Sequence, residues 1–147
     1  MLEAWFDGCC EPKNPGGHAA WGAVLCRDGQ KIWEDAGYCG EGSKMSNNVA
    51  EYSGMAAVLE RLQSENEFCL IRGDSKLVIM QLQHKWKING GLYLPFYAKA
   101  AGLYDKIKDR IGLRWVPREE NEICDVLSKA VLRDKGVVFK IQPEVAA

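Results

Sequence analysis

Several things are scarce in this chain, and each scarcity excludes something. No apolar run approaches the roughly 18 residues of a membrane span, and Met1 to Ala20 lacks the basic start and apolar middle of a signal peptide. A cytoplasmic protein with no membrane attachment is the expectation. Histidine occurs only twice, as His18 and His84, and no CxxC pair or Cys/His cluster offers zinc a site. Cysteine itself is not rare, with residues at 9, 10, 26, 39, 69 and 124. Without a secretion signal these are expected to be free thiols. A basic surplus is missing too, since the formal net charge is -1 and nucleic-acid-binding domains are usually basic. Repeats, low-complexity tracts and Pro/Ser linkers are absent. The 147 residues, 47% hydrophobic and 27% charged, therefore read as one globular domain at 1–136 followed by a tail at 137–147.

What is present has a clear order. Leu2 to Cys9, Ala19 to Arg27 and Gln30 to Tyr38 read as strands, the last two joined by Asp28-Gly29, a strong hairpin signal. From Asn47 to Leu62 the apolar period changes to that of a helix, with Tyr52, Met55, Ala56, Leu59 and Leu62 on one face and Ser46 or Asn47 as the cap. Glu67 to Arg72 reads as a short buried strand, Ser75 to Lys85 as a helix broken at Asn89-Gly90-Gly91, and Pro95 to Asp109 as a further helix. Ile111 to Val116 is a strand stopped by Pro117; Glu122 to Arg133 is the last helix, with Gly136 as its stop. The order βββαβααβα implies an α/β protein with a mixed sheet covered by helices. Val137 to Gln142 suits either an extra strand or a docked tail.

Four acids stand where apolar residues would be expected. Asp7 closes the first strand, Glu51 borders the buried stripe of its helix beside Met55, Val58 and Leu62, Asp74 follows the buried strand, and Asp125 is flanked by Ile123, Cys124, Val126 and Leu127. Each has a plain alternative: Asp7 as a turn residue, Asp74 as a helix cap, and Glu51 and Asp125 as edge acids paired with Lys or Arg. Four such acids on four separate elements would repel one another unless a cation lies among them, and a hard divalent cation with oxygen ligands is the natural occupant. With four of the 20 acids so committed, 16 remain against 19 basic residues, and the loaded protein would face a phosphate backbone with a small positive surplus.

FDGCCEPKNPGG (6–17), SNNVAEY (46–52), GDSKLV (73–78) and ENEICDVLSKA (120–130) resemble, in order, the four signature segments of type 1 ribonuclease H. The resemblance implies the ribonuclease H-like fold, a five-stranded mixed sheet with its first three strands antiparallel and helices on both sides. It implies hydrolysis of the RNA strand of an RNA/DNA hybrid with two Mg²⁺ ions, or Mn²⁺, leaving 3′-hydroxyl and 5′-phosphate ends. Asp7 would then bridge both ions, Asp125 would complete the site of the ion that activates water, and Glu51 with Asp74 would hold the other. Two such ions about 4 Å apart can stabilise the attacking and leaving oxygens of an in-line displacement. The RNA 2′-hydroxyl would be read by the backbone of Cys9, Cys10 and Glu11 and by Asn47-Asn48. Asn14 and Ser46 resemble DNA-phosphate contacts, and Lys76 could reach the hybrid backbone.

Two features depart from the family. Many members carry a histidine between the last strand and last helix, whereas that loop here is Pro117-Arg118-Glu119-Glu120, which leaves Arg118 or Glu120 as the candidate substitutes. The basic protrusion of some members is reduced to KWKINGGLYLPFY (85–97), so the electrostatic grip should be modest. There, Trp86 is a candidate stacking contact or a rim residue, and Leu92, Tyr93, Leu94, Phe96 and Tyr97 are expected to dock onto the domain. A monomer is expected.

Overall fold

The computed structural model describes residues 1–139. Strands β1 (Leu2–Glu11), β2 (His18–Arg27) and β3 (Gln30–Glu41) form an antiparallel meander, followed by helix α1 (Asn47–Leu62) and strand β4 (Cys69–Gly73). Helices α2 (Lys76–Leu82) and α3 (Leu94–Ile107) precede β5 (Ile111–Trp115), and α4 (Glu122–Asp134) comes last. The sheet order is β3-β2-β1-β4-β5, with β4 parallel to both β1 and β5. Both connections into parallel strands carry helices, as parallel pairing requires. Among the described residues no helix is long and apolar enough to cross a membrane, and all six cysteines are free.

Alternation along β1 divides its side chains between two layers. Leu2, Ala4 and Phe6 face α1 and join Tyr52, Met55 and Leu59 in the main core. Cys9 faces the other way and packs with Ala20, Leu132 and Phe139 beneath α4. Phe139 is thus buried against the domain, whereas residues 140–147, which include the rest of the strand-like run, lie outside the described residues.

Glycine sets how closely the two helical layers approach the sheet. A Cβ on Gly8 would lie 2.4 Å from the Ala50 carbonyl carbon and the Glu51 nitrogen, so α1 meets β1 with no room for a methyl group. On the opposite face a Cβ on Gly22 would lie 2.7 Å from Leu127 Cβ and 2.8 Å from the Cys124 oxygen of α4.

Several boundaries differ from the sequence reading, each for a local reason. β1 continues to Glu11 because Cys10 and Glu11 still pair with Ala19 and His18, which leaves Asp7 within the strand and not at its end. β4 begins at Cys69, and Glu67 instead reaches outward to Arg27 at 2.8 Å. α2 closes at Leu82 because His84 adopts φ 61° and the Lys85 and Trp86 amides both turn back to the Met80 carbonyl. The Asp28-Gly29 hairpin has positive φ at both residues, 50° and 82°, as its turn type requires. In the 85–97 segment Tyr93, Phe96 and Tyr97 pack against the core, and Leu92 and Leu94 stay exposed. Tyr93 stacks on Tyr52, and Gln81 joins the two by accepting from the Tyr52 hydroxyl at 2.5 Å and donating to the Tyr93 hydroxyl at 3.0 Å.

Two glycine substitutions test this packing in opposite directions. Gly8→Ala should lower unfolding stability by about 2–3 kcal/mol through overpacking against α1. Gly102→Ala, inside α3 with nothing within 4 Å of the new methyl, should raise it by roughly 0.5–1 kcal/mol. Denaturant unfolding of both variants checks the pair.

Candidate active site

β4 stops pairing with β1 at Gly73, opposite Phe6, so from Asp7 to Glu11 the first strand is hydrogen-bonded only to β2. This opens a crevice at the carboxyl ends of two adjacent parallel strands, a common ligand position in sheets of this kind. Asp7 projects into it from β1, Asp74 from just past β4, Glu51 from the second turn of α1, and Asp125 from the first turn of α4. Gly8 and Gly22 are what let the two helices bring their acids so near the strand.

Asp7, Glu51 and Asp74 each offer an oxygen, and these oxygens lie within 4.8 Å of one another. Asp7 and Glu51 are only 4% exposed, and Glu51 Oε1 is buried with no hydrogen-bond partner among the described residues. Burial holds the Asp7 carboxyl well above the ordinary range, and the charges of Asp74 and Asp125 push it further. Glu51 is raised by its burial first and then by Asp7 and Asp74. The donor set is all oxygen, crowded and under-satisfied, which fits a hard divalent cation. Asp125 stands slightly apart from this group: its Oδ2 accepts from Lys129 Nζ at 3.1 Å, one helical turn on.

Neither plain alternative for the first and third acids describes them. Asp74 is not the cap of α2; Ser75 is, accepting from the Val78 amide at 3.3 Å. Asp7 sits inside a paired strand and not in a turn.

The remaining candidates divide by position. Cys9, Cys10, Glu11, Asn14, Asn47, Asn48, Lys76 and Arg118 line the same cleft of about 680 Å³ as the acids. Asn14 Oδ1 accepts from the Asn47 amide at 2.8 Å, tying the β1–β2 turn to the start of α1. Lys76 Nζ lies 4.8 Å above the Trp115 ring, and Arg118 Nε is 3.9 Å from Asp74 Oδ2. Ser46 caps α1 by accepting from the Val49 amide at 3.2 Å and is not among the lining residues. Trp86 is 46% exposed beyond α2 and also outside the lining, while Glu120 lines a separate apolar hollow with Trp5, Val24 and Ile123. Burial raises the Cys9 thiol to about 12, so it is not a ready nucleophile.

Sequence reasoning passed over three residues of the cleft and its support. Asn121, buried at the start of α4, donates through Nδ2 to the Phe6 carbonyl at 2.7 Å and so fixes the helix that carries Asp125. Trp115 donates from its ring nitrogen to the Asp74 carbonyl at 3.1 Å. Lys129 pairs with Asp125, and its spacing of four from that acid was readable as a helical ion pair.

The raised carboxyls make metal-free stability depend on pH. In the unfolded chain Asp7 and Glu51 ionise near pH 4, whereas folded they keep protons to higher pH, so folding takes up protons. Stability in EDTA should therefore fall as pH rises from about 4 through neutrality. Asp7→Asn removes one of the crowded charges and should stabilise the metal-free protein at pH 8 by about 1–3 kcal/mol, and should gain less stability than the parent from an added divalent cation. Thermal unfolding at pH 5 and 8, with EDTA or Mg²⁺, measures both effects.

Residues 5–131 match the family described as reverse transcriptase-like. The chain is 31% identical over 134 residues to ribonuclease HI of Halobacterium salinarum, a match covering 90% of this chain and 65% of that protein. The crystal structure of RNase H1 from that halophilic archaeon superposes with a TM-score of 0.79 at 32% identity, over 90% of this chain and 98% of the other. LC11-RNase H1, solved in complex with an RNA/DNA hybrid, gives a TM-score of 0.82 at 26% identity, over 92% and 99% of the two chains. Similarity to the bifunctional protein Rv2228c of Mycobacterium tuberculosis is 36% identity over 88 residues, or 58% of this chain and 23% of that protein. The chain thus spans about a quarter of the mycobacterial relative and just under two thirds of the Halobacterium one. The family match begins in β1 and ends inside α4, taking in every element that brings an acid to the cleft: the chain belongs to the reverse transcriptase-like family and has the ribonuclease H-like fold.

Proposed function

We propose that this protein is a metal-dependent endoribonuclease that hydrolyses the RNA strand of RNA/DNA hybrids, leaving 3′-hydroxyl and 5′-phosphate ends. The observation that carries the reading is the buried convergence of Asp7, Glu51 and Asp74 with an orphaned Glu51 oxygen, in a chain homologous to ribonuclease HI over most of its length. The hybrid bound to LC11-RNase H1 supports the substrate class.

Asp7, Glu51, Asp74 and Asp125 would hold two Mg²⁺ or Mn²⁺ ions, with Asp7 as the shared ligand because acids approach it from both helical layers. The ions would supply Lewis-acid stabilisation of the charge that develops on the phosphodiester and on the attacking and leaving oxygens. The protein's own groups then position the strand. Antiparallel pairing turns only every second residue of β1 toward β2, so the stretch that lines the cleft presents backbone to the cleft as well as to that strand, where a 2′-hydroxyl would both give and accept a hydrogen bond. Asn47 and Asn48, on the first turn of α1, add side-chain amides beside them. Asn14, Lys76 and Arg118 surround the acids with groups suited to phosphate.

The test is a labelled RNA/DNA hybrid of 12 base pairs or more, run beside duplex RNA and duplex DNA with Mg²⁺, Mn²⁺ or EDTA. Cleavage confined to the RNA strand of the hybrid and abolished by EDTA is expected. Asp7→Asn, Glu51→Gln, Asp74→Asn and Asp125→Asn should each lower kcat on the order of a thousandfold or more, with Asp7→Asn the most severe. Asn14→Ala should act mainly on KM. Metal-independent cleavage, or equal cleavage of duplex DNA, would overturn the reading.

A further inference from the structure

We infer that Lys129 is a built-in counter-cation for Asp125, and that it makes the cation position at Asp125 the weaker of two, filled only when the lysine is displaced. The inference rests on the reading that the four acids take divalent cations. It concerns how this chain's own residues grade that uptake.

The four acids are not equivalent. Three have oxygens within 4.8 Å of one another, and among the described residues their one ion pair is the long contact of Asp74 with Arg118. Arg118 is 82% exposed, and its Nε lies 3.9 Å from Asp74 Oδ2, at the outer limit of such a contact. Asp125 alone is held directly, by Lys129 at 3.1 Å. That pair sits on one face of α4, four residues apart, with the side chains 26% and 31% exposed, so it is partly shielded from solvent. Lys129 also lines the cleft. It is therefore close enough to repel a divalent cation that approaches Asp125 as well as to occupy the carboxylate oxygen such a cation needs.

The other cleft cations cannot take its place. Lys76 lies over the Trp115 ring, which itself donates to the Asp74 carbonyl, and Arg118 is paired with Asp74. Without Lys129, the Asp125 carboxylate would stand unpaired in the same cleft as the other three acids. Lys129 thus offsets the repulsion of the metal-free cleft, and the same charge resists loading of the last position.

The experiment is a titration of hybrid-free protein with Mg²⁺ by calorimetry and with Mn²⁺ by the electron paramagnetic resonance of the free ion. It compares the parent chain with Lys129→Met, which keeps the packing of the stem, with Lys129→Gln as a second neutral form, and with Lys129→Arg, which keeps the charge. The parent should bind one equivalent more tightly than a second. The neutral variants should tighten the second by about tenfold and show a larger Mg²⁺-induced rise in melting temperature, and Lys129→Arg should behave as the parent. Second-site affinity unchanged or weakened in folded Lys129→Met and Lys129→Gln, or Lys129→Arg behaving as they do, would overturn the inference while leaving the metal reading intact. No cation binding by any form would remove both.

Discussion

Three carboxylates with oxygens inside 4.8 Å repel one another, and two of them are nearly closed to water, so folding in the absence of a counter-charge works against their ionisation. The architecture around Asp7 is a set of devices that force this proximity. Gly8 admits α1 and Gly22 admits α4 to within a distance that any side chain would forbid. The early end of β4 leaves the strand edge open just where Asp7 projects. Asn121 fastens the start of α4 to the backbone of β1 through a buried hydrogen bond. The two glycines and Asn121 serve the packing of a helix on the sheet, and each at the same time brings an acid closer to the others.

The same constraint accounts for the distribution of positive charge. A cleft with four acids and no compensation would destabilise the fold, but close pairing of every acid would leave none for a ligand. Here burial raises the carboxyls of the two deeper acids, Asp74 has an arginine at 3.9 Å, and Asp125 has a lysine at 3.1 Å. The formal net charge of -1 therefore says little about the cleft itself, where four acids lie at the centre and Lys76, Arg118 and Lys129 around them.

Much of this was legible in the sequence because it is encoded locally. The helical period from Asn47 to Leu62, the Asp28-Gly29 turn and the position of each acid among apolar neighbours do not depend on distant contacts. What stayed hidden depends on long-range partners. Asn121 reads as an ordinary residue before a helix, because the carbonyl it binds is 115 positions away in the chain. Gly8 and Gly22 read as turn or strand glycines until it is known which helix crosses each face. The extension of β1 past Cys9 is set by pairing with His18 and Ala19, and the early close of α2 by the backbone of His84. That close leaves Trp86 exposed and off the cleft, and the short turn before α4 directs Glu120 into a separate hollow beside Trp5 and Val24.

The central claim is that the acids are crowded in order to hold divalent cations, and the most direct measurement is crystallographic. Crystals grown with MnCl₂ and a hybrid, with data collected near the manganese absorption edge, report the ion itself. The account predicts anomalous difference peaks in contact with Asp7 and Glu51, lost in Asp7→Asn. An ordered cleft without such a peak, or a peak elsewhere on the protein with these carboxylates merely hydrogen-bonded to each other, would contradict it.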